Sequence, residues 1–408
     1  MEFLPDGRML LCEKGGAIRI AEGPDYNSSS LYMTITDIES GQERGLIDIV
    51  IDPNFAANNY FYVYYSKNST NKFRIARFLH QENSGGLTST GDLSSEFLVY
   101  EDTDTWSSCC HYGGGLDFGP DGTLYCTIGD EFNGNQAQDL TRSGGKVIRV
   151  NSDGSIPADN PLVDGPGGNH DAIFAYGLRN PFRSKWDIPG NRYYIAEVGG
   201  NVQSTAMEDV HIGVSGADHG WPYCEGSNCS WPSGEPANFS APLYSYPHTA
   251  GTPNGGSITG GFVYRGNQFP SSFIGAYFFG DYAIEYIRYL TLDGSGNLTG
   301  DFDFQPSAGL VVAIDQGPDG ALYYCDISGS VRRIVYDNGN QGPTCVTVTS
   351  STSNAQAGVM ISFDADVEDA EGEALDYEWQ WGDGTTTTGS IPAGPGVRSL
   401  PTEMHAYG

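Results

Sequence analysis

Residues Cys109–Asp130 read CCHYGGGLDFGPDGTLYCTIGD. A histidine, His111, stands before three glycines, Gly113, Gly114 and Gly115. An apolar run follows, then the turn Pro120-Asp121-Gly122, a second apolar run, and Asp130. Proline presets φ at the first central position of a turn, and Asp-Gly tolerates the conformations of a reversal. The stretch is therefore expected to form a hairpin that starts near His111 and returns Asp130 to the same end. An imidazole beside a carboxylate can act as a general base of fixed tautomer. Glycines next to it leave room for a flat ligand. Taken alone, the hairpin favours a plainer reading, a hydrogen-bonded structural histidine and a turn aspartate.

The same phrase recurs along the chain: a short apolar stretch, a turn usually containing proline, then alternating apolar and aromatic residues. Copies occur at Phe3–Ile20, Ile49–Ser66, Leu116–Asp130, Lys185–Gly199 and Ala313–Ile334. A divergent one lies at Gly260–Tyr282, with Gln268-Phe269-Pro270 at its turn. Each unit is too small to bury its own apolar face, so the copies must pack on one another. Radial packing removes most exposed sheet edges. The expected fold is all-β, a six-bladed β-propeller, with polar segments between the copies carrying function. The segments that stand out are Gly41–Leu46, Gly167–Phe182, Ala196–Asn201, His219–Pro222 and Val263–Gly266.

The totals agree with many short strands and tight turns: 408 residues with 56 Gly, 22 Pro and 25 Tyr. A net charge of -31 argues against nucleic acid and anionic membranes as partners. It reads as a solubilising acidic surface. No run approaches the ~20 apolar residues of a membrane helix, and the numbering carries no signal peptide. Eight cysteines are too few for a disulfide scaffold. Cys224 and Cys229 are expected to bridge. The adjacent Cys109 and Cys110 are expected not to bond to each other, one of them pairing elsewhere. Sequons at Asn27, Asn68, Asn228, Asn238 and Asn297, beside a disulfide, point outside the cytoplasm.

The propeller pattern spans residues 1–338, and a polar linker covers 339–345. Residues 346–408 read as a small β-sandwich of the PKD type, carried by Tyr377, Trp379, Trp381-Gly382-Asp383-Gly384 and His405-Ala406-Tyr407. It is expected to be incomplete at Gly408, and to serve as a spacer or as a contact for an extracellular protein or glycan. Its acidic loop, Asp364 to Glu373, reads as a solvated turn rather than a calcium site.

With HYGGGLDFGPDGTLYCTIGD, GGKVIRVNSDGSIPADNP, IFAYGLRNPF and AEVGG side by side, the chain from Phe3 to Tyr336 resembles the soluble glucose and sorbosone dehydrogenases. These are six-bladed propellers that bind pyrroloquinoline quinone (PQQ) and calcium. The resemblance implies a secreted or periplasmic sugar dehydrogenase, with an aldose as substrate and a separate electron acceptor. It makes His111 the base and Asp130 the residue that holds it. Arg179, which would serve both catalysis and binding, and Asn180 would face the quinone. Arg265 would meet a cofactor carboxylate, and Arg288 would be a further counter-ion. Glu43 falls where a neutral amide is usual, so its carboxylate must be protonated or turned away. Calcium would take backbone carbonyls at Gly199 and Gly200.

The competing reading is a non-catalytic extracellular propeller, since hedgehog-interacting proteins share the lineage and fold does not fix function. A lactonase-like calcium propeller is a weaker third. The remaining His170, His211 and His248 read as surface or hydrogen-bonded residues without metal-ligand spacing. His219 reads as structural, and Trp186 and Trp221 as core.

Overall fold

A computed structural model describes the chain apart from residues 24, 83–88, 249–254, 337–342, 355, 370–372, 395 and 408. Most of the expected linker at 339–345, and the tip of the acidic loop, lie outside the described residues. The chain divides into two compact units, Met1–Val335 and Tyr336–Gly408.

The first unit is a six-bladed β-propeller. Among the described residues five blades are antiparallel four-stranded sheets and the sixth has three strands. Their innermost strands are Glu2–Phe3, Leu46–Ile51, Leu116–Phe118, Pro181–Asp187, Ile258–Val263 and Val311–Gln316. Each repeated phrase of the sequence falls on the inner strands of one blade. The hairpin of blade three shows how the phrase works. Gly122 N–H closes the turn on Gly119 O at 3.0 Å, with Gly122 at φ 75°. A type I turn followed by a left-handed glycine is a standard hairpin connection. The turn's Asp121 accepts from Tyr125 Oη at 3.0 Å and pairs with Arg149 at 2.8 Å, tying the turn to its own blade.

Burial follows the alternation. Tyr62, Tyr64, Phe73, Leu124, Ile148 and Ile173 fill the layer between blades two and three. Phe262, Phe278, Leu322 and Tyr324 do the same between blades five and six. The ring closes where Phe3 meets Tyr323 edge-on at 5.2 Å, next to Met9 and Ala321. Burying this many large side chains, at about 1.5–3 kcal/mol each, is what holds sheets that share no strands.

The second unit pairs Met360–Glu368 with Thr344–Ser350, Val397–Ser399 and Glu403–Ala406, beside a separate pair, Leu375–Gln380 and Thr386–Ile391. Its core is aromatic. Trp381 stacks on Trp379 at 5.4 Å and on His405 at 4.6 Å.

Among the described residues no helix is long and apolar enough to cross a membrane.

Candidate active site

The inner strands of a propeller run in one direction, so residues that precede them gather on one face and residues that follow them gather on the other. Glu43, His111 with its glycines, and Arg179-Asn180 all lie just before the inner strands of blades two, three and four. Asp130 follows the next strand of blade three, Leu124–Ile128, and so returns to the same face.

His111 and Asp130 meet there. His111 Nδ1 lies 2.8 Å from Asp130 Oδ1, and both residues are buried. A carboxylate accepts, so the proton sits on Nδ1 and leaves Nε2 as the acceptor. Asp130 is fixed from several sides. Its Oδ2 accepts the indole N–H of Trp221 at 2.8 Å, its Oδ1 also accepts Phe132 N–H at 2.9 Å, and its own N–H donates to Arg179 O at 2.7 Å. Phe132 stacks on the His111 ring at 4.2 Å and is 52% exposed.

The backbone around the dyad is tight. His111 has φ 63°, a left-handed conformation unusual outside glycine. Glu43 Oε2 accepts the His111 N–H at 2.6 Å and so caps this turn. A Cβ on Gly129 would come 2.1 Å from His111 O, and one on Gly113 would come 2.4 Å from Thr127 O. Only glycine permits these approaches. Arg44 braces the preceding loop by donating to Ser108 O at 2.8 Å and to Tyr112 Oη at 3.1 Å. Glu131, buried behind the dyad, has its carboxyl pushed up to about 8, mainly by burial.

Arg179 and Asn180 join this wall from blade four. Arg179 donates to Val198 O at 2.9 Å and Asn201 Oδ1 at 2.7 Å, with its guanidinium 5.7 Å from the Trp221 ring centre. Its backbone N–H meets Glu197 Oε1. Burial lowers its pKa from the ordinary arginine value, against the pull of Asp130 and Glu197. Asn180 Oδ1 accepts Gly113 N–H at 3.1 Å, which links blades three and four. In the next loop, Gly199 N–H donates to Glu208 at 3.3 Å and Gly200 N–H to Glu225 at 2.5 Å. Burial raises the pKa of both carboxyls.

Two expected cations do not reach the dyad. Arg265 follows the inner strand of blade five, so it lies on the opposite face. There it forms a two-bond pair with Asp187, at 3.0 and 2.6 Å. Asp187 is the far end of Pro181–Asp187, about 20 Å of strand away from Asn180. Arg288 sits in the third strand of blade five and pairs with Asp301 at 3.1 Å and Asp303 at 3.0 Å. Glu43 is turned onto the His111 backbone. The cysteine expectation also changes. Cys109 and Cys110 are bonded to each other, their Cα atoms 3.8 Å apart. The free cysteines are Cys12, Cys126, Cys325 and Cys345, each in a strand, whereas Cys109 and Cys110 lie in the loop before Leu116–Phe118. Cys224 and Cys229 pair as expected.

Trp221 and Phe132 were not singled out for the dyad. The His219–Pro222 motif held the signal for Trp221, but a tryptophan's partner across blades cannot be read from spacing.

A profile of the Glucose / Sorbosone dehydrogenase family matches residues 1–333. The chain is 28% identical to the aldose sugar dehydrogenase YliI of Escherichia coli, over 54% of this chain and 58% of that protein. It is also 28% identical to quinoprotein glucose dehydrogenase B of Acinetobacter calcoaceticus, over 54% of this chain and 49% of the other. The chain thus spans about half the length of these relatives. The solved apo-form of the soluble aldose sugar dehydrogenase of Escherichia coli has the same fold, with TM-score 0.68 at 24% identity, over 82% of this chain and 94% of that one.

Proposed function

The chain belongs to the glucose/sorbosone dehydrogenase family, and from that membership we propose that it oxidises an aldose or related sugar outside the cytoplasm, using PQQ and calcium. The observation that carries the reading is the His111–Asp130 contact at 2.8 Å, facing Arg179 and Asn180 from the next blade.

PQQ is a flat quinone with three carboxylates, and the donor set suits its reacting edge. His111 offers an acceptor nitrogen, Arg179 a buried guanidinium, and Asn180 an amide, all on one wall. Among the described residues the carbonyls of Gly199 and Gly200 take no hydrogen bond, and Glu208 and Glu225 hold the loop through its N–H groups. Those carbonyls are the hard oxygen donors that calcium accepts. When bound, the quinone supplies the two-electron acceptor, polarised by the ion, for hydride leaving the sugar's anomeric carbon.

The chain's own residues do the rest. His111 Nε2 takes the proton of the anomeric hydroxyl, and Asp130 stabilises the imidazolium that results. Trp221 and the Phe132 N–H keep that carboxylate in place. Arg179 would supply positive charge beside the bound acceptor. Two disulfide pairs and the sequons support a compartment outside the cytoplasm.

One observation favours the non-catalytic extracellular propeller. Of the three arginines expected at the cofactor, Arg179 alone stands at the dyad, with Arg265 and Arg288 held in other ion pairs. A titration of apo-protein with PQQ and Ca²⁺, followed by dye reduction with a panel of aldoses, separates the two. Saturable quinone binding with sugar-dependent reduction supports the dehydrogenase. Absence of saturable binding hands the protein to the second reading.

A further inference from the structure

Blade four carries a cluster that the candidate active site does not use. Its strands Arg192–Glu197 and Met207–Ile212 pair antiparallel, with Glu197 directly opposite Asp209 and Ile195 opposite His211. Residues opposite one another share a face of the sheet, as do residues two apart on a strand. Glu197, Asp209 and His211 therefore project together. Two carboxylates facing across a ladder repel each other. Here they are also buried, with exposures of 6% for Glu197, 4% for Asp209 and 1% for His211. One ligand atom from each lies within 4.8 Å of the other two.

The polar atoms of this cluster are only partly satisfied. His211 Nε2 reaches Glu197 Oε2 at 2.6 Å, and Asp209 Oδ2 accepts Gly226 N–H at 2.9 Å. Among the described residues, Asp209 Oδ1 and His211 Nδ1 have no hydrogen-bond partner. Folds normally avoid buried polar atoms of that kind, and each one calls for an explanation. His219 adds a second imidazole, packed edge-on against the His211 ring at 4.7 Å. The nearby cation, Arg179, spends its guanidinium on Val198 and Asn201.

We propose that Glu197, Asp209 and His211 form a binding site for a divalent transition-metal ion of the zinc class, separate from the carbonyl loop at Gly199 and Gly200. The donor types select the ion. Calcium takes six to eight oxygens, whereas zinc-class ions accept few ligands and mix imidazole with carboxylate, at bonds of about 2.0–2.2 Å. A bound ion relieves the repulsion between the two carboxylates and gives Asp209 Oδ1 a partner. It also fixes Glu197, whose other oxygen accepts the Arg179 N–H. The site therefore stands one hydrogen bond behind the active-site arginine.

The test uses the full chain, tag removed and stripped by chelator, titrated with Co²⁺ alone and read by its visible absorption bands. Wild type is expected to bind one equivalent, to yield it to Zn²⁺, and to keep it in millimolar Ca²⁺. Asp209→Asn and His211→Gln are each expected to weaken binding by at least about tenfold. Where a variant fails to fold, X-ray absorption on the wild-type Co²⁺ form decides, with imidazole and carboxylate ligation expected. Absence of binding, displacement by calcium, all-oxygen ligation, or full affinity in both folded variants overturns the proposal. No quinone or sugar is present, so the outcome is independent of the dehydrogenase reading.

Discussion

The indole N–H of Trp221 donates to Asp130 Oδ2 at 2.8 Å, so the carboxylate that orients His111 is itself held from a later part of the chain. Trp221→Phe keeps an aromatic ring and removes the donor. With one donor fewer, Asp130 holds the imidazolium more strongly, while its own position loosens. The expected result is a kcat lower by about tenfold, with KM little changed. An unchanged kcat would reduce Trp221 to packing.

His111 is the residue whose removal should hurt turnover most. His111→Gln keeps polarity and abolishes the base, so kcat is expected to fall by about 10²–10⁴. Quinone binding, measured by fluorescence quenching, is expected to stay within about threefold, since the proposed function assigns the cofactor's contacts to Arg179 and Asn180. A variant that turns over at the wild-type rate removes His111 from the chemistry.

What the sequence made legible was local. The turns, Pro-Asp-Gly in blades one, three and six, and the alternation around them mark the inner hairpins, and the length of one hairpin carries Asp130 back to His111. Arg265 was misplaced because a motif records which residue is present but not which end of a strand it occupies. It follows its strand where Arg179 precedes one, and the face reverses. Arg288 was drawn off by Asp301 and Asp303, partners that strand register alone brings together. His211 is hydrogen-bonded as expected, but its pairing with Glu197 was not legible for the same reason. They come from two strands, so no spacing along the chain announces them. The bond between Cys109 and Cys110 departs from the expectation that one of them pairs elsewhere.

Two glycines distinguish close approach from backbone conformation. Gly129 lies against His111, where a Cβ would sit 2.1 Å from the carbonyl oxygen. Gly129→Ala must therefore displace the histidine, costing roughly 2–4 kcal/mol of stability and most of the turnover. Gly122 has φ 75° but open space around it. Gly122→Ala is expected to cost about 1 kcal/mol and leave kcat intact. Urea midpoints and sugar-dependent dye reduction report both, and equal effects from the two would contradict the packing around His111.

The disulfide pattern has a direct count. In denaturant without reductant, alkylation should label Cys12, Cys126, Cys325 and Cys345 and leave Cys109, Cys110, Cys224 and Cys229 unlabelled. Reduction should release all of the remaining thiols. A proteolytic fragment holding Cys109 and Cys110 should also show the mass of a bridge within itself. Linkage of either cysteine to a distant peptide would return to the partner expected from sequence.

Glu131 gives the pH dependence a sign. Its carboxyl is pushed from 4.5 up to about 8 in the folded protein, mainly by burial, with Asp102 adding repulsion. Below about pH 4.5 both the folded and the unfolded chain hold the proton, so this group does not bias folding. Between 4.5 and 8 the unfolded chain releases it while the folded chain keeps it. Stability therefore falls as pH rises through that window, and the penalty is complete above about 8. Glu131→Gln removes the ionisable group and keeps the shape. Its melting temperature should match wild type near pH 4 and exceed it at pH 8.5, by an amount corresponding to roughly 3–5 kcal/mol. The gain should grow steadily across the interval. A variant equally shifted at both ends would mean that packing, not the buried charge, sets the difference.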